Sequence, residues 1–119
     1  MNPLKRQVTD FYFYHQLQGW ELLRKQHHEL PAQAVTVLFY VASRGLCHKQ
    51  AIEEDIGLST AACSRSIDIL AIKSSRPGIK TPGLGLIRKF FDPSNGRRLL
   101  LELTPEGEKL MDQYKAMIG

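Results

Sequence analysis

The chain has only two cysteines in 119 residues, Cys47 and Cys63, with no CxxC pair and no histidine spacing that would complete a zinc site. A disulfide framework and a structural zinc are not indicated, and two reduced thiols serving as packing residues are expected. No apolar run is long enough to cross a bilayer, and the opening MNPLKRQVTD lacks the apolar stretch of a signal peptide, so a cytoplasmic protein is expected. There is no Gly-rich phosphate loop and no Ser-His-Asp or Cys-His arrangement. The single carboxylate run, Glu53-Glu54-Asp55, reads as a solvated helix face. His27-His28 would point about a hundred degrees apart on a helix, a poor bidentate pair. No enzymatic activity, metal or cofactor is expected.

With 43% hydrophobic residues, the chain suits one domain with one modest core. Its net charge of +4 is unevenly placed. Between residues 65 and 98 stand Arg65, Lys73, Arg76, Lys80, Arg88, Lys89, Arg97 and Arg98 against Asp68 and Asp92, a local excess of +6. Such a cluster is an electrostatic footprint for phosphate.

The most informative stretch runs from Ile52 to Thr104. In AIEEDIGLSTAACSRSIDIL, residues 51–70, Ile52 and Ile56 line one short helix, and Cys63, Ile67 and Leu70 line a second. Gly57 suits the end of the first, and Ser59 suits the N-cap of the second, which makes a helix-turn-helix. Residues 86–107, LIRKFFDPSNGRRLLLELTPEG, hold two β-prone runs, about Leu86–Phe91 and Arg97–Leu103. Asn95-Gly96 between them is a hairpin signal, since both residues tolerate the left-handed conformation of tight turns. Thr104-Pro105-Glu106 then opens a last helix through Ile118. Upstream, residues 7 to about 28 suggest a long helix that is aromatic on several sides, interrupted in propensity at Gly19. A second helix after Pro31, stopping at Gly45, is expected to be the most buried, and Leu46-Cys47 suits a very short strand beside the hairpin. Residues 74–85, SSRPGIKTPGLG, read as a long loop.

The GLS turn, the CSRSIDIL helix, the GLIRK strand, the DPSNGRR hairpin and the LTPEG helix start together resemble the MarR-like winged helix-turn-helix transcription regulator family over about residues 32–115. The resemblance implies a mainly α fold with a small β-hairpin, a winged helix-turn-helix. It further implies a homodimer that places recognition helix 59–72 of each subunit in the major groove and wing 86–103 at the minor groove. It also implies that Asp92 orients a wing arginine. The chain departs from the family at Glu53, where a small residue is usual, and in the length of the loop after Lys73. It also stops after one C-terminal helix where the family normally has another that helps frame an effector pocket. A small-molecule effector is therefore left open.

The expected division is residues 1–30 as a dimerisation element and 31–119 as the DNA-binding domain, with dimerisation through the N-terminal and C-terminal helices. On the second helix of the motif, Thr60, Ala61, Ala62, Ser64, Arg65 and Asp68 are the candidates for DNA contact, and Arg65 has the geometry for guanine O6 and N7. Lys73, Arg76 and Lys80 in the loop suit phosphate. At the wing the candidates are Lys89, Asn95, Gly96, Arg97 and Arg98, with Arg97 suited to a narrow A·T-rich minor groove. The partner so implied is double-stranded DNA. Two other functions fit the sequence: a winged helix used as a protein-interaction or assembly module, and a low-specificity DNA-binding protein of a phage or mobile element.

Overall fold

A computed structural model of the protein describes residues 6–26, 30–71 and 83–119. Lys73, Arg76, Lys80 and the pair His27-His28 lie outside the described residues. Asp10 fixes the first helix: its carboxylate accepts the Phe13 amide, and α1 runs Phe11–Arg24. The cap removes about one turn from the start expected at residue 7. Gly19 does not interrupt the helix. A Cβ there would lie 2.7 Å from Tyr114 Cε2, so the glycine is the point at which another helix crosses.

α2, Ala32–Arg44, begins after Pro31 and buries Ala34, Val35, Val37, Leu38 and Val41, a stripe at helical spacing. It is the centre of the core, as its sequence predicts. The strand β1, Leu46–His48, leads into α3, Lys49–Ile56, whose N-terminus is capped by the His48 imidazole accepting the Ala51 amide. Gly57 follows at φ 79°, ψ 39°, the left-handed geometry that ends a helix without steric penalty, and Ser59 caps α4, Thr60–Leu70. Ile52 is fully buried, but Ile56 is not. It ends its helix beside the turn, beyond reach of the core that its four-residue spacing from Ile52 suggested.

β2, Ile87–Asp92, and β3, Asn95–Leu103, form the wing, and β1 adds to β3 so that the order is β1-β3-β2, all antiparallel. Cys47 and Lys89 both face Leu101 across the sheet. The chain turns at Pro93-Ser94, not at Asn95-Gly96. Among the described residues only Gly45, Gly57 and Gly85 have positive φ, so the left-handed Asn-Gly turn expected from the sequence does not form. Asp92 explains the difference. Its carboxylate accepts both the amide and the hydroxyl of Ser94, and Pro93 has φ preset for the first turn position.

α5, Pro105–Ile118, packs Leu110, Met111 and Tyr114 against the core, with the Tyr114 ring edge-on to Phe39 at 5.0 Å. The described structure measures 60 × 30 × 27 Å, with a radius of gyration of 16.6 Å against about 13.5 Å for a compact chain of this length. Much of α1 accordingly remains open, and Phe11, Tyr12, Phe13, Leu17 and Trp20 are all exposed.

The start of α5 is the tightest joint. Thr104 accepts the Gly107 amide and donates its hydroxyl to Gly85 O at 2.6 Å, while a Cβ on Gly107 would fall 2.0 Å from Leu86 O. Because that oxygen is backbone, relief requires the helix to move away from the strand. Gly107→Ala is expected to destabilise the protein by roughly 3 kcal/mol. Urea denaturation checks this, and a midpoint like that of the parent would show that the joint yields.

Candidate nucleic-acid interface

α4 is seated by Cys63, Ile67 and Leu70, which are buried together with Ser66. Ser66 donates its hydroxyl to Gln33 of α2 at 3.3 Å. The opposite side of the helix carries Ala61 and Arg65, both exposed, with Ala62, Ser64 and Asp68 half-buried at its edges. Arg65 forms no ion pair among the described residues. Burial pushes the Cys63 thiol up, the direction that makes a cysteine less reactive.

Glu53 is not part of a solvated face. Its Oε1 accepts the Thr60 hydroxyl at 2.6 Å, and its Oε2 accepts Lys49 Nζ at 3.1 Å. Lys49 also donates to Thr60 O at 3.2 Å. The Lys49 and Glu53 side chains are only 14% and 17% exposed, so solvent screens this pair far less than a surface one. The hydrogen bond from Thr60, with the Lys49 ammonium beside it, holds the Glu53 carboxyl below its usual range. In place of a small residue packed between two helices, the chain ties them with a charge-assisted bridge. Thr60 donates its hydroxyl proton within this bridge and has only its lone pairs left for a partner. The rest of the acidic run is divided: Asp55 accepts the Tyr40 hydroxyl at 2.6 Å, and Glu54 accepts from Gln50.

The base of the wing is fastened to the end of α4. The amides of Leu84, Gly85 and Leu86 donate to Ile69, Ala71 and Leu70 carbonyls, and Ala71 bridges to Ile87. These carbonyls would otherwise be the unpartnered last acceptors of the helix. Lys89 Nζ then donates to Asp68 at 2.9 Å, linking β2 to α4. Both residues were candidates for DNA contact, and each finds its partner in the other. Arg88 turns to the opposite sheet face, pairs with Glu102 across the strands and covers the Phe90 ring.

At the tip, Asn95, Gly96, Arg97 and Arg98 are all exposed. The Asn95 side chain accepts the Arg97 amide at 3.2 Å. Asp92 is spent on the Ser94 turn, which lowers its pKa, and among the described residues it hydrogen-bonds no arginine. Turn chemistry is the larger cause, and the nearby Arg98 charge, the kind of wing arginine that the resemblance implies, lowers the Asp92 carboxyl further. The register jumps from Phe91↔Leu99 to Asp92↔Asn95, which leaves Gly96, Arg97 and Arg98 without partners on β2. Sequence reasoning missed this bulge, because strand propensity does not reveal register. It also missed the Lys49–Glu53 bridge, although the four-residue spacing was a usable signal.

Solved structures of MarR-family transcriptional regulators share this architecture. A variant MarR from E. coli, complexed with operator DNA, is 19% identical, with a TM-score of 0.59 over 98% of this chain and 74% of that one. The YusO protein from Bacillus subtilis is 20% identical, with a TM-score of 0.60 over 90% of this chain and 67% of its own. The PcaV transcriptional regulator from Streptomyces coelicolor is 24% identical, with a TM-score of 0.56 over 88% of this chain and 70% of its own. No family model and no curated protein sequence matches the chain. The fold is therefore the winged helix-turn-helix of these regulators, mainly α with a small antiparallel sheet. No helix among the described residues is long and apolar enough to cross a membrane.

The Lys49–Glu53–Thr60 bridge gives a pH signature. Because the folded-state pKa of Glu53 is depressed, its stabilisation is complete above the normal carboxylate range near pH 4.3 and is lost as pH falls through the folded value. Glu53→Gln is expected to be less stable than the parent by about 1–2 kcal/mol at pH 7, with the gap narrowing below about pH 4. Denaturation midpoints of the two proteins from pH 7 to pH 3 measure this. A gap independent of pH would assign the effect to packing.

Proposed function

We propose that the protein is a sequence-specific double-stranded DNA-binding transcription regulator of the MarR type, with α4 in the major groove and the wing at the minor groove. The observation that carries this reading is the exposed Arg65, which has no ion-pair partner among the described residues. It stands between Ala61 and Ala62 on one side and a wing ending in Arg97 and Arg98 on the other. Arg88 and Lys89 are tied to carboxylates, so Arg65 and Arg97 are the cations most available to phosphates and bases, with Arg98 shared with the nearby Asp92. Arg65 reads guanine, Ala61 and Ala62 approach thymine methyls, and Ser64 donates to phosphate. Lys89 and Asp68 serve mainly to hold the wing against the helix, Thr60 mainly to hold α4 against α3, and Asn95 and Gly96 shape the tip. Lys73, Arg76 and Lys80 add phosphate contacts.

The protein acts as a homodimer in this reading, with residues 1–30 as the dimerisation element, α5 contributing, and 31–119 as the DNA-binding domain. Support comes from the aromatic side of α1, where Phe11, Tyr12 and Phe13 are each more than 60% exposed. Surface of that kind is normally covered by a partner. The same face favours a second reading, an assembly module that binds another protein and no DNA.

Salt-dependent binding to a pool of duplexes separates the two. The parent is expected to select a few sequences, and Arg65→Ala to lose about 1–3 kcal/mol on those sequences while relaxing discrimination. Arg97→Ala should weaken binding on all sequences and reduce the salt slope by about one. Absence of binding at low salt would favour the assembly module. In sedimentation, Leu17→Ala combined with Trp20→Ala should convert a dimer to a monomer, and an unchanged mass would place the interface elsewhere.

A further inference from the structure

Phe91 has no role in the architecture just described. It is 64% exposed, as open as the aromatic residues of α1, yet it lies on β2 at the far end of the molecule's sheet. Strand alternation places it on the same sheet face as Lys89, two residues earlier, and Lys89 meets Asp68 of α4. Phe91 therefore continues the helix-facing side of the sheet toward the wing tip, about 7 Å beyond that ion pair. Its cross-strand partner Leu99 is the last regular pair before the bulge that carries Arg97 and Arg98. Neither arginine forms an ion pair among the described residues, although the charge of Arg98 acts on Asp92. An apolar ring thus stands one cross-strand pair from the bulge that carries Arg97, which has no ion-pair partner among the described residues, and Arg98, whose charge also acts on Asp92.

The pair of arginines decides what covers the ring. A purely apolar protein surface would have to desolvate both guanidinium groups without compensation. A duplex minor groove instead offers phosphates to the cations and deoxyribose faces to the ring. We infer that Phe91 packs against the sugar wall of the minor groove beside the position taken by Arg97, and so supplies an apolar, salt-independent share of DNA affinity. This rests on the DNA-binding reading above and adds to it a contact that charge alone would not supply. Because Phe91 is mostly exposed in the free protein, replacing it leaves the core intact.

The test measures affinity for a selected duplex across a salt series, together with oligomeric mass, for the parent, Phe91→Ala, Phe91→Leu and Arg97→Ala. Phe91→Ala is expected to weaken binding about tenfold at every salt concentration with an unchanged slope, since no counterion is released by a phenyl ring. Phe91→Leu should retain most of the affinity, and Arg97→Ala should flatten the slope. Parent-like binding by Phe91→Ala would overturn the inference alone. A fall in affinity that follows a change in oligomeric mass would also overturn it and assign the ring to a contact between copies of the chain. A parent that binds no duplex would overturn the DNA-binding reading itself.

Discussion

The seating of α4 is the constraint on which the rest of the structure depends. Cys63, Ile67 and Leu70 fix one side of the helix in the core, and the other side is thereby presented outward with Arg65 on it. The same helix then dictates where the wing begins. Its last carbonyls take the amides of Leu84, Gly85 and Leu86, so the chain leaves the helix at Ala71 and returns to it by Gly83. A Cβ on Gly83 would meet Ala71 O at 2.0 Å, which shows how closely the two ends approach. Helix and wing are thus joined directly by these backbone hydrogen bonds.

Charge in this molecule has two uses, and the balance of Lys and Arg over Asp and Glu does not separate them. Lys49 with Glu53 ties α3 to α4 through Thr60, Lys89 with Asp68 ties β2 to α4, and Arg88 with Glu102 braces the sheet. The half-exposed pairs Lys89–Asp68 and Arg88–Glu102 contribute orientation more than stability, since such pairs are individually weak, whereas the more buried Lys49–Glu53 pair contributes to stability as well. Arg65 on the helix and Arg97 on the bulge of the wing form no ion pair among the described residues, and Arg98 acts on Asp92 without forming one. A basic excess read along the chain therefore overstates the charge available to a polyanion.

The fold was largely legible because its signals are local. The Gly57 stop and Ser59 cap, the inward triplet on α4, the Thr104-Pro105 start of α5 and the short strand at Leu46-Cys47 each follow from a few neighbouring residues. What stayed hidden depends on register or on distant partners. Asn95-Gly96 has the chemistry of a tight turn, yet Asp92 and Pro93 capture the turn two residues earlier. Glu53 looked solvated because nothing in its own helix discloses Thr60 across the turn. Gly19 looked like a weak point because the Tyr114 ring that packs on it lies ninety-five residues away. Of the candidate residues, the structure shows which are tied to other elements, Lys89, Asp68 and Thr60, and which stand exposed, Ala61, Arg65 and the wing tip; the sequence pattern alone does not separate the two groups.

In the proposed function, one surface, made by the outward side of α4 and the wing tip, meets DNA while the aromatic side of α1 serves dimerisation. Backbone amide shifts on titration with a selected duplex test this most directly. Perturbations are expected to concentrate at residues 60–65 and 95–98 and to spare residues 11–20. Perturbations centred on α1, or none at a concentration that saturates binding, would contradict it.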